Sequence, residues 1–375
     1  MKRIDSRSTA LHIALVFLTL ASLVLTGCNG SGGDSKLTLK ILHVNDVHSH
    51  LDPSQIDLTF DGMATGCEIG GMARVASKIK ELTGKGKNHL VLHAGDTVQG
   101  TLYYTLFQGQ ADADVMNAIG FDAMAIGNHE FDDGDDWLAG FIGMVDAPLI
   151  SANIEVPPGN VLYGLYAPYV IKEVNGQKIG IIGLTIAGKT RDSSQPSDEV
   201  TFKDEVSSTQ AAVDELKANG IRKIILLSHY GYENVKALSP LVTDIDIIVD
   251  GDSHTLLGNF SAYGLNSSGE YPTMVKNRDG QKVCVVQAWE YSKVLGELEV
   301  NFRGDELESC SGTPHLILGD TFVRKDSQGQ SYTLENGELA SLLAVVDADD
   351  KLDILADDQR ELTPISTTPC PLSIM

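Results

Sequence analysis

Five short segments of this chain hold side chains of the types that bind divalent cations or move protons. They are Asp46-Val47-His48, Gly95-Asp96, Gly127-Asn128-His129-Glu130-Phe131-Asp132, Ser228-His229 and Gly251-Asp252-Ser253-His254. Carboxylate, imidazole and amide oxygen together suit Mg²⁺, Mn²⁺, Zn²⁺ or Co²⁺. Taken singly, each segment has a plainer explanation, because Asp or Asn after a strand often caps a helix or holds a turn. Capping requires no histidine, however, and four of the five segments carry one. In order along one chain they read as parts of a single polar centre. Such a centre could bind divalent cations and activate water, since water coordinated to a dication can fall to a pKa of about 7.

The elements that must position these groups are legible as alternating patterns. Short β-type runs at Leu37 to Val44, His89 to His93, Phe121 to Ile126, Ile221 to Leu227 and Ile245 to Val249 each end at one of the five segments, and Lys178 to Leu184 is a further run. Helix-like stretches lie between them: Gly71 to Leu82, with Met72, Val75, Ile79 and Leu82 at helical spacing, then Ala111 to Ile119, Asp135 to Val145 and Ser208 to Ala218. Strand alternating with helix predicts an α/β domain, and ligands in such sheets bind beyond the carboxyl ends of strands. Past Tyr271 the runs Thr273 to Val275, Lys282 to Gln287 and Val294 to Phe302 follow one another without helices, which predicts a second, more antiparallel sheet. From about Thr313 the chain reads as polar and irregular, with an acidic helix-like segment around Leu339 to Asp358 and a Thr/Pro-rich end from Leu362 to Met375.

The strings ILHVNDVHSHL, VLHAGDTVQG, IGNHEFDDG, LLSHYG and DGDSHT resemble, in order and spacing, the signature of the calcineurin-like metallophosphoesterases, and within them the 5'-nucleotidase family. The resemblance runs from Leu37 to Phe302. It implies a four-layer α-β-β-α sandwich with two divalent metals, of identity open among Mn, Mg, Zn and Co, acting on small nucleotide substrates. Carried over by position, Asp46, His48 and His254 hold the first metal, Asn128, His229 and Asp252 hold the second, and Asp96 bridges them. His129 is then the catalytic histidine that meets the phosphoryl group, Asp132 the carboxylate that orients it, and Glu130 serves the turn.

Two departures from the family pattern bear on this reading. Many relatives have histidine where this chain has Asp252, and a carboxylate there is a harder donor that shifts preference toward Mn²⁺ or Mg²⁺ over Zn²⁺. The family's C-terminal domain, which supplies an aromatic clamp and arginines for the nucleoside, is expected to be largely absent. On this reading residues 37–312 form the catalytic domain and residues 313–375 a connector with an incomplete C-terminal region. The expected reaction is hydrolysis of nucleotide phosphate esters, with nucleotide diphosphate, dinucleotide and cyclic phosphodiester bonds in the same class. The alternative is a catalytically idle nucleotide- or metal-binding surface lipoprotein.

Composition bounds the setting. The 375 residues are 42% hydrophobic and 21% charged, with a net charge of −23 at pH 7. Such an acidic surface repels a polynucleotide backbone, so a nucleic-acid polymer is not an expected partner. Residues 1–27 read as a signal peptide, with Lys2, Arg3 and Arg7 before an apolar run from Leu11 to Leu25. Leu25-Thr26-Gly27-Cys28 resembles a bacterial lipobox, which makes Cys28 the lipidated residue, residues 28–36 a flexible tether, and the membrane a partner only through the lipid. Export to the periplasmic or outer face of a bacterial membrane permits disulfides. Cys67, Cys284, Cys310 and Cys370 allow three complete pairings; Cys284 with Cys310 is preferred because they flank consecutive strands.

Overall fold

Alternation along each strand decides which layer it faces. In the strand Lys36–Val44, Leu39 and Ile41 point one way and Leu42 and Val44 the other, and all four are buried. A strand that is apolar on both faces has to lie inside a layered fold. The computed structural model describes residues 35–355 except 85 and 87. The signal, the tether up to residue 34, Cys28, Cys370 and the Thr/Pro-rich end lie outside the described residues.

Two sheets pack face to face. Among the described residues, the first has ten strands, with the order Ser54–Phe60, Met63–Ile69, Glu306–Lys325, Val294–Arg303, Lys36–Val44, His89–His93, Ala123–Ala125, Leu149–Ile150; Ser331–Thr333 and Leu352–Ile354 also pair with Glu306–Lys325. The second has six, in the order Thr273–Lys276, Lys282–Val286, Ile247–Val249, Lys223–His229, Gln177–Thr185, Tyr169–Val174. Leu39, Ile41, Leu90, Leu92, Ala123 and Ala125 of the first sheet meet Ile179, Ile181, Ile225, Leu227, Ile247 and Val249 of the second in one apolar cluster.

Helices cover both outer faces. Leu42, Val44, Val91 and Met124 pack against Met72 and Val75 of helix Met72–Thr83, Met116 of Gln110–Ile119, and Leu138 and Phe141 of Gly134–Met144. On the other side Ile182, Leu184, Ile224, Leu226 and Ile248 meet Ala212, Val213 and Leu216 of Glu205–Ala218 and Val235 and Leu238 of Tyr232–Leu238. The expected α-β-β-α sandwich is the observed architecture.

The strand order explains why one end of the molecule collects the polar segments. Lys36–Val44, His89–His93 and Ala123–Ala125 run parallel, with Val44 level with His93 and His93 level with Met124. In the facing sheet Lys223–His229, Ile247–Val249 and Lys282–Val286 run parallel, with Leu227 level with Val249 and Val249 level with Val286. The carboxyl ends of both parallel sets reach the same edge, where the Asp252 backbone N–H after the second set donates to Asp46 after the first at 3.0 Å.

The region after Tyr271 departs from the sequence expectation. Thr273–Lys276 and Lys282–Val286 extend the second sheet, whereas Val294–Arg303 crosses to the first, so among the described residues this region forms no separate antiparallel sheet. The strand Glu306–Lys325 runs without a break through residue 313, where the connector is expected to begin. Its first half is largely solvent-facing and hence polar, which hid it, while Pro314 to Gly319 are buried. The helix-like segment resolves into helix Asn336–Val346 and strand Leu352–Ile354. Leu342 and Val346 join Phe322, Leu318, Leu58 and Phe60 in a further cluster under the unforeseen hairpin Ser54–Phe60/Met63–Ile69.

Candidate metal centre

All five segments arrive at this one edge. The turn after Lys36–Val44 is stitched to the turn after His89–His93 by three backbone bonds: Asp46 N to Gly95 O at 3.0 Å, His48 N to Asp96 O at 3.1 Å and Ser49 N to Thr97 O at 3.0 Å. Glu130 fastens the third turn to the second. Its buried carboxylate accepts from the backbone N–H groups of Gly127 (2.6 Å), Thr97 (2.7 Å) and Asp96 (3.0 Å). Burial and the nearby Asp96 push the Glu130 carboxyl up to about 7 against those bonds.

Close approach leaves no room for side chains at two glycines. A Cβ on Gly127 would lie 2.2 Å from Asp96 Oδ1, and one on Gly251 would lie 2.6 Å from Ala94 O and 2.8 Å from His229 Nδ1. Asp46, His48, Asp96, Asp252 and His254 all adopt positive φ, between 49° and 72°. Non-glycine residues rarely occupy that region, and strained backbone of this kind clusters at functional sites.

The ligand-type atoms converge on Asp46 and Asp96. His254 Nε2 is 3.2 Å and His48 Nε2 3.9 Å from Asp46 Oδ1. His229 Nε2 is 3.0 Å and His48 Nε2 3.6 Å from Asp96 Oδ2. Asp252 Oδ1 is 3.7 Å from His229 Nε2, and the Asn128 amide lies 3.2 Å from that oxygen. Three groups have ligand atoms within 4.8 Å of one another: Asp46, His48 and His254; Asp46, Asp96 and His229; and His48, Asp96 and His129.

The donor set fits divalent cations. His229 Nδ1 bonds Ala94 O at 2.8 Å and His254 Nδ1 bonds Glu290 at 2.9 Å, so each ring gives its Nδ1–H away from the centre and points Nε2 inward. The His48 and His254 Nε2 atoms then face each other at 3.3 Å. Asp96 Oδ2 is buried, 3.0 Å from His229 Nε2. With its oxygen inward, Asn128 adds another acceptor 3.3 Å from His229 Nε2; a cation or a turned amide would satisfy that contact. Buried acceptors facing acceptors are costly unless something positive lies between them.

His129 stands beside this cluster in a different state. Its Nδ1 bonds Asp132 at 2.6 Å, and its backbone N–H donates to Asp96 Oδ1 at 2.9 Å. The Asp132 bond raises the imidazole pKa, with burial opposing and Asp96 assisting. A protonated His129 is thus favoured next to a centre of carboxylates.

Several residues that hold the site carried no readable signal. Asn45 ties Asp46 Oδ2 (2.7 Å) to Trp289 O and to Ala288 N–H. Glu290 orients His254 and is held by Lys293 at 2.6 Å. Lys189 Nζ lies 2.6 Å from Asp252 Oδ1. Glu290 follows the strand Lys282–Val286, so it belongs to a sixth strand-end turn whose lone acidic residue gave no metal-like pattern. Away from the centre, Cys284 and Cys310 are joined as a disulfide with Cα atoms 6.7 Å apart, and Cys67 is free and buried.

A mixed two-sheet sandwich with Asp, His and Asn at converging strand ends defines a metallophosphoesterase fold. The profile of the calcineurin-like phosphoesterase family matches residues 39–256, and the chain belongs to that family. It is 42% identical over 331 residues to a probable 5'-nucleotidase of Treponema pallidum, covering 86% of this chain and 56% of that one. It is 40% identical over 337 residues to the NAD 5'-nucleotidase of Haemophilus influenzae, covering 89% and 56%. Among solved structures, the Haemophilus influenzae NAD nucleotidase superposes with a TM-score of 0.83 at 40% identity, over 86% of this chain and 57% of that one. A 5'-nucleotidase precursor of Thermus thermophilus superposes with a TM-score of 0.72 at 42% identity, over 75% and 55%. The chain spans about half the length of these relatives.

Proposed function

We propose that this chain hydrolyses nucleotide phosphate esters at two divalent cations, with the 5'-nucleotidase reaction as the principal case. Nucleotide diphosphate, dinucleotide and cyclic phosphodiester bonds fall in the same chemical class. The observation that carries the reading is the convergence of Asp46, His48, Asp96, His229 and His254 around two buried carboxylates with inward-facing acceptors. The relatives' names, 5'-nucleotidase and NAD 5'-nucleotidase, support the substrate class.

Asp46, His48 and His254 are assigned to one cation, Asn128, His229 and Asp252 to the other, and Asp96 to both. When bound, such a pair polarises water and phosphoryl oxygens and neutralises developing charge. Asp252, in place of an imidazole, favours Mn²⁺ or Mg²⁺. The chain's own residues do the rest. His129, kept charged by Asp132, leaves its other ring nitrogen for the phosphoryl side, where it stabilises charge on the departing ester oxygen and returns a proton to it. Ala94 O and Glu290 keep the two ligand imidazoles in one tautomer, and Glu130 fixes the Asp96 and Asn128 turns so that substrate meets a preorganised site.

Release of inorganic phosphate from AMP, assayed with Mg²⁺, Mn²⁺, Zn²⁺ and Co²⁺, tests the reading. Activity should require metal and be lost in Asp96→Asn and His129→Ala. Loaded protein inert toward every monoester, diester and pyrophosphate would overturn it.

A further inference from the structure

Lys189 lies on the short helix Ala187–Ser193, which follows the strand Gln177–Thr185 of the second sheet. Its ammonium contacts Asp252 Oδ1, the same oxygen that approaches His229 Nε2 at 3.7 Å and the Asn128 amide at 3.2 Å. That oxygen is the one through which Asp252 would ligate. An ammonium and a dication that share one carboxylate oxygen are a few ångströms apart and repel each other strongly in a partly buried site.

The two partners differ in freedom. Asp252 is anchored, because its backbone N–H donates to both Asp46 carboxylate oxygens at 3.0 and 3.2 Å, and its side chain is 11% exposed. The Lys189 side chain is 39% exposed and is a point charge on a flexible stem. When a dication arrives, Lys189 is therefore the group that moves. Its attachment to the strand end keeps the displaced ammonium near the mouth of the site, where an incoming phosphate presents anionic oxygens.

We propose that Lys189 is a resident counter-cation of the Asn128–His229–Asp252 half, displaced when a dication enters and then available to bind a phosphate oxygen of the substrate. This rests on the two-cation reading above. It makes the two halves unequal: the Asp46–His48–His254 half fills first, and the half guarded by Lys189 fills second and more weakly.

Calorimetric titration of the metal-free full chain with Mn²⁺ tests the proposal without reference to turnover. The parent should give a tight and a weaker step. Lys189→Met should tighten the weaker step roughly tenfold and leave the tight step unchanged, since the ammonium no longer competes. On the Mn²⁺-loaded protein, the same variant should bind inorganic phosphate roughly tenfold more weakly, while Lys189→Arg keeps phosphate affinity within about twofold. Thermal melts of both variants confirm folding, which an exposed stem should not disturb. Superimposable Mn²⁺ isotherms for parent and Lys189→Met, or unaltered phosphate affinity, overturn the assignment of Lys189 alone. A parent that takes up no Mn²⁺ and releases no phosphate from AMP overturns the two-cation reading with it.

Discussion

Asp46, His229 and His254 are each aimed by a partner one bond further out, and that partner is where residue-level tests discriminate best. Glu290 accepts from His254 Nδ1 at 2.9 Å and is itself held by Lys293. Glu290→Gln removes the charge but keeps the shape. Divalent-ion affinity should fall ~10- to 100-fold, the usual effect of losing such an orienting carboxylate, with the melting temperature nearly unchanged. Unaltered Mn²⁺ affinity in a calorimetric titration would remove Glu290 from the account. This residue also marks the limit of what residue types announce. Aspartates and histidines distributed over five strand ends are rare enough to read as a centre, whereas one glutamate after a strand, or Lys189 on a short helix, looks like any solvated charge. Only the three-dimensional placement distinguishes them.

At the scale of elements, the turns are held by buried polar staples rather than by propensity. Glu130 satisfies three backbone N–H groups from two turns. Glu130→Leu strands them, at about 1–3 kcal/mol for each. A drop in melting temperature of many degrees is expected, together with loss of metal binding, and a variant melting with the parent would contradict the staple. A second staple joins strands far from the centre. His315 on Glu306–Lys325 bonds Asp353 at 2.6 Å and Glu297 at 2.9 Å, and Lys40 reaches Glu297 at 2.5 Å. Burial lowers the His315 pKa, but its two carboxylate partners outweigh that and Lys78, so the net shift is upward. The His315 bond holds Glu297 down at about 2 against burial, with Lys40 assisting. The raised His315 contributes stability that is complete below its ordinary value near 6.5 and fades as pH rises through its folded pKa. The depressed Glu297 contributes stability that is complete above its ordinary value of about 4.5 and fades as pH falls toward 2. The staple is therefore strongest between these limits, and His315→Gln should flatten the melting temperature across pH 5 to 8. A variant profile parallel to the parent's would refute this. The strands feeding the centre were legible because they are apolar on both faces and end abruptly in polar turns. Ser54–Phe60, Met63–Ile69 and the first half of Glu306–Lys325 were not, because each shows much of its surface to solvent and so lacks a continuous apolar run.

For the whole molecule, the proposed dication centre would lie inside a chain of net charge −23. On the proposed function an anionic nucleotide would be repelled by this body until it reached the bound cations, so screening should help it. KM for AMP should fall as NaCl rises from about 10 to 150 mM at saturating metal, where Debye screening shortens from ~30 to ~8 Å; a rise in KM would show that the surface field attracts the substrate. Among the described residues no helix is long and apolar enough to cross a membrane, and lipid attachment at Cys28 stays a proposal from the sequence. The central claim is that distant strand ends build one centre in which two dications share Asp96, and the number of ions retained per chain tests it most directly. After saturation with Mn²⁺ and gel filtration, elemental analysis should find two equivalents in the parent and far fewer in Asp96→Asn. One equivalent or none in the parent, or two in Asp96→Asn, would contradict the account.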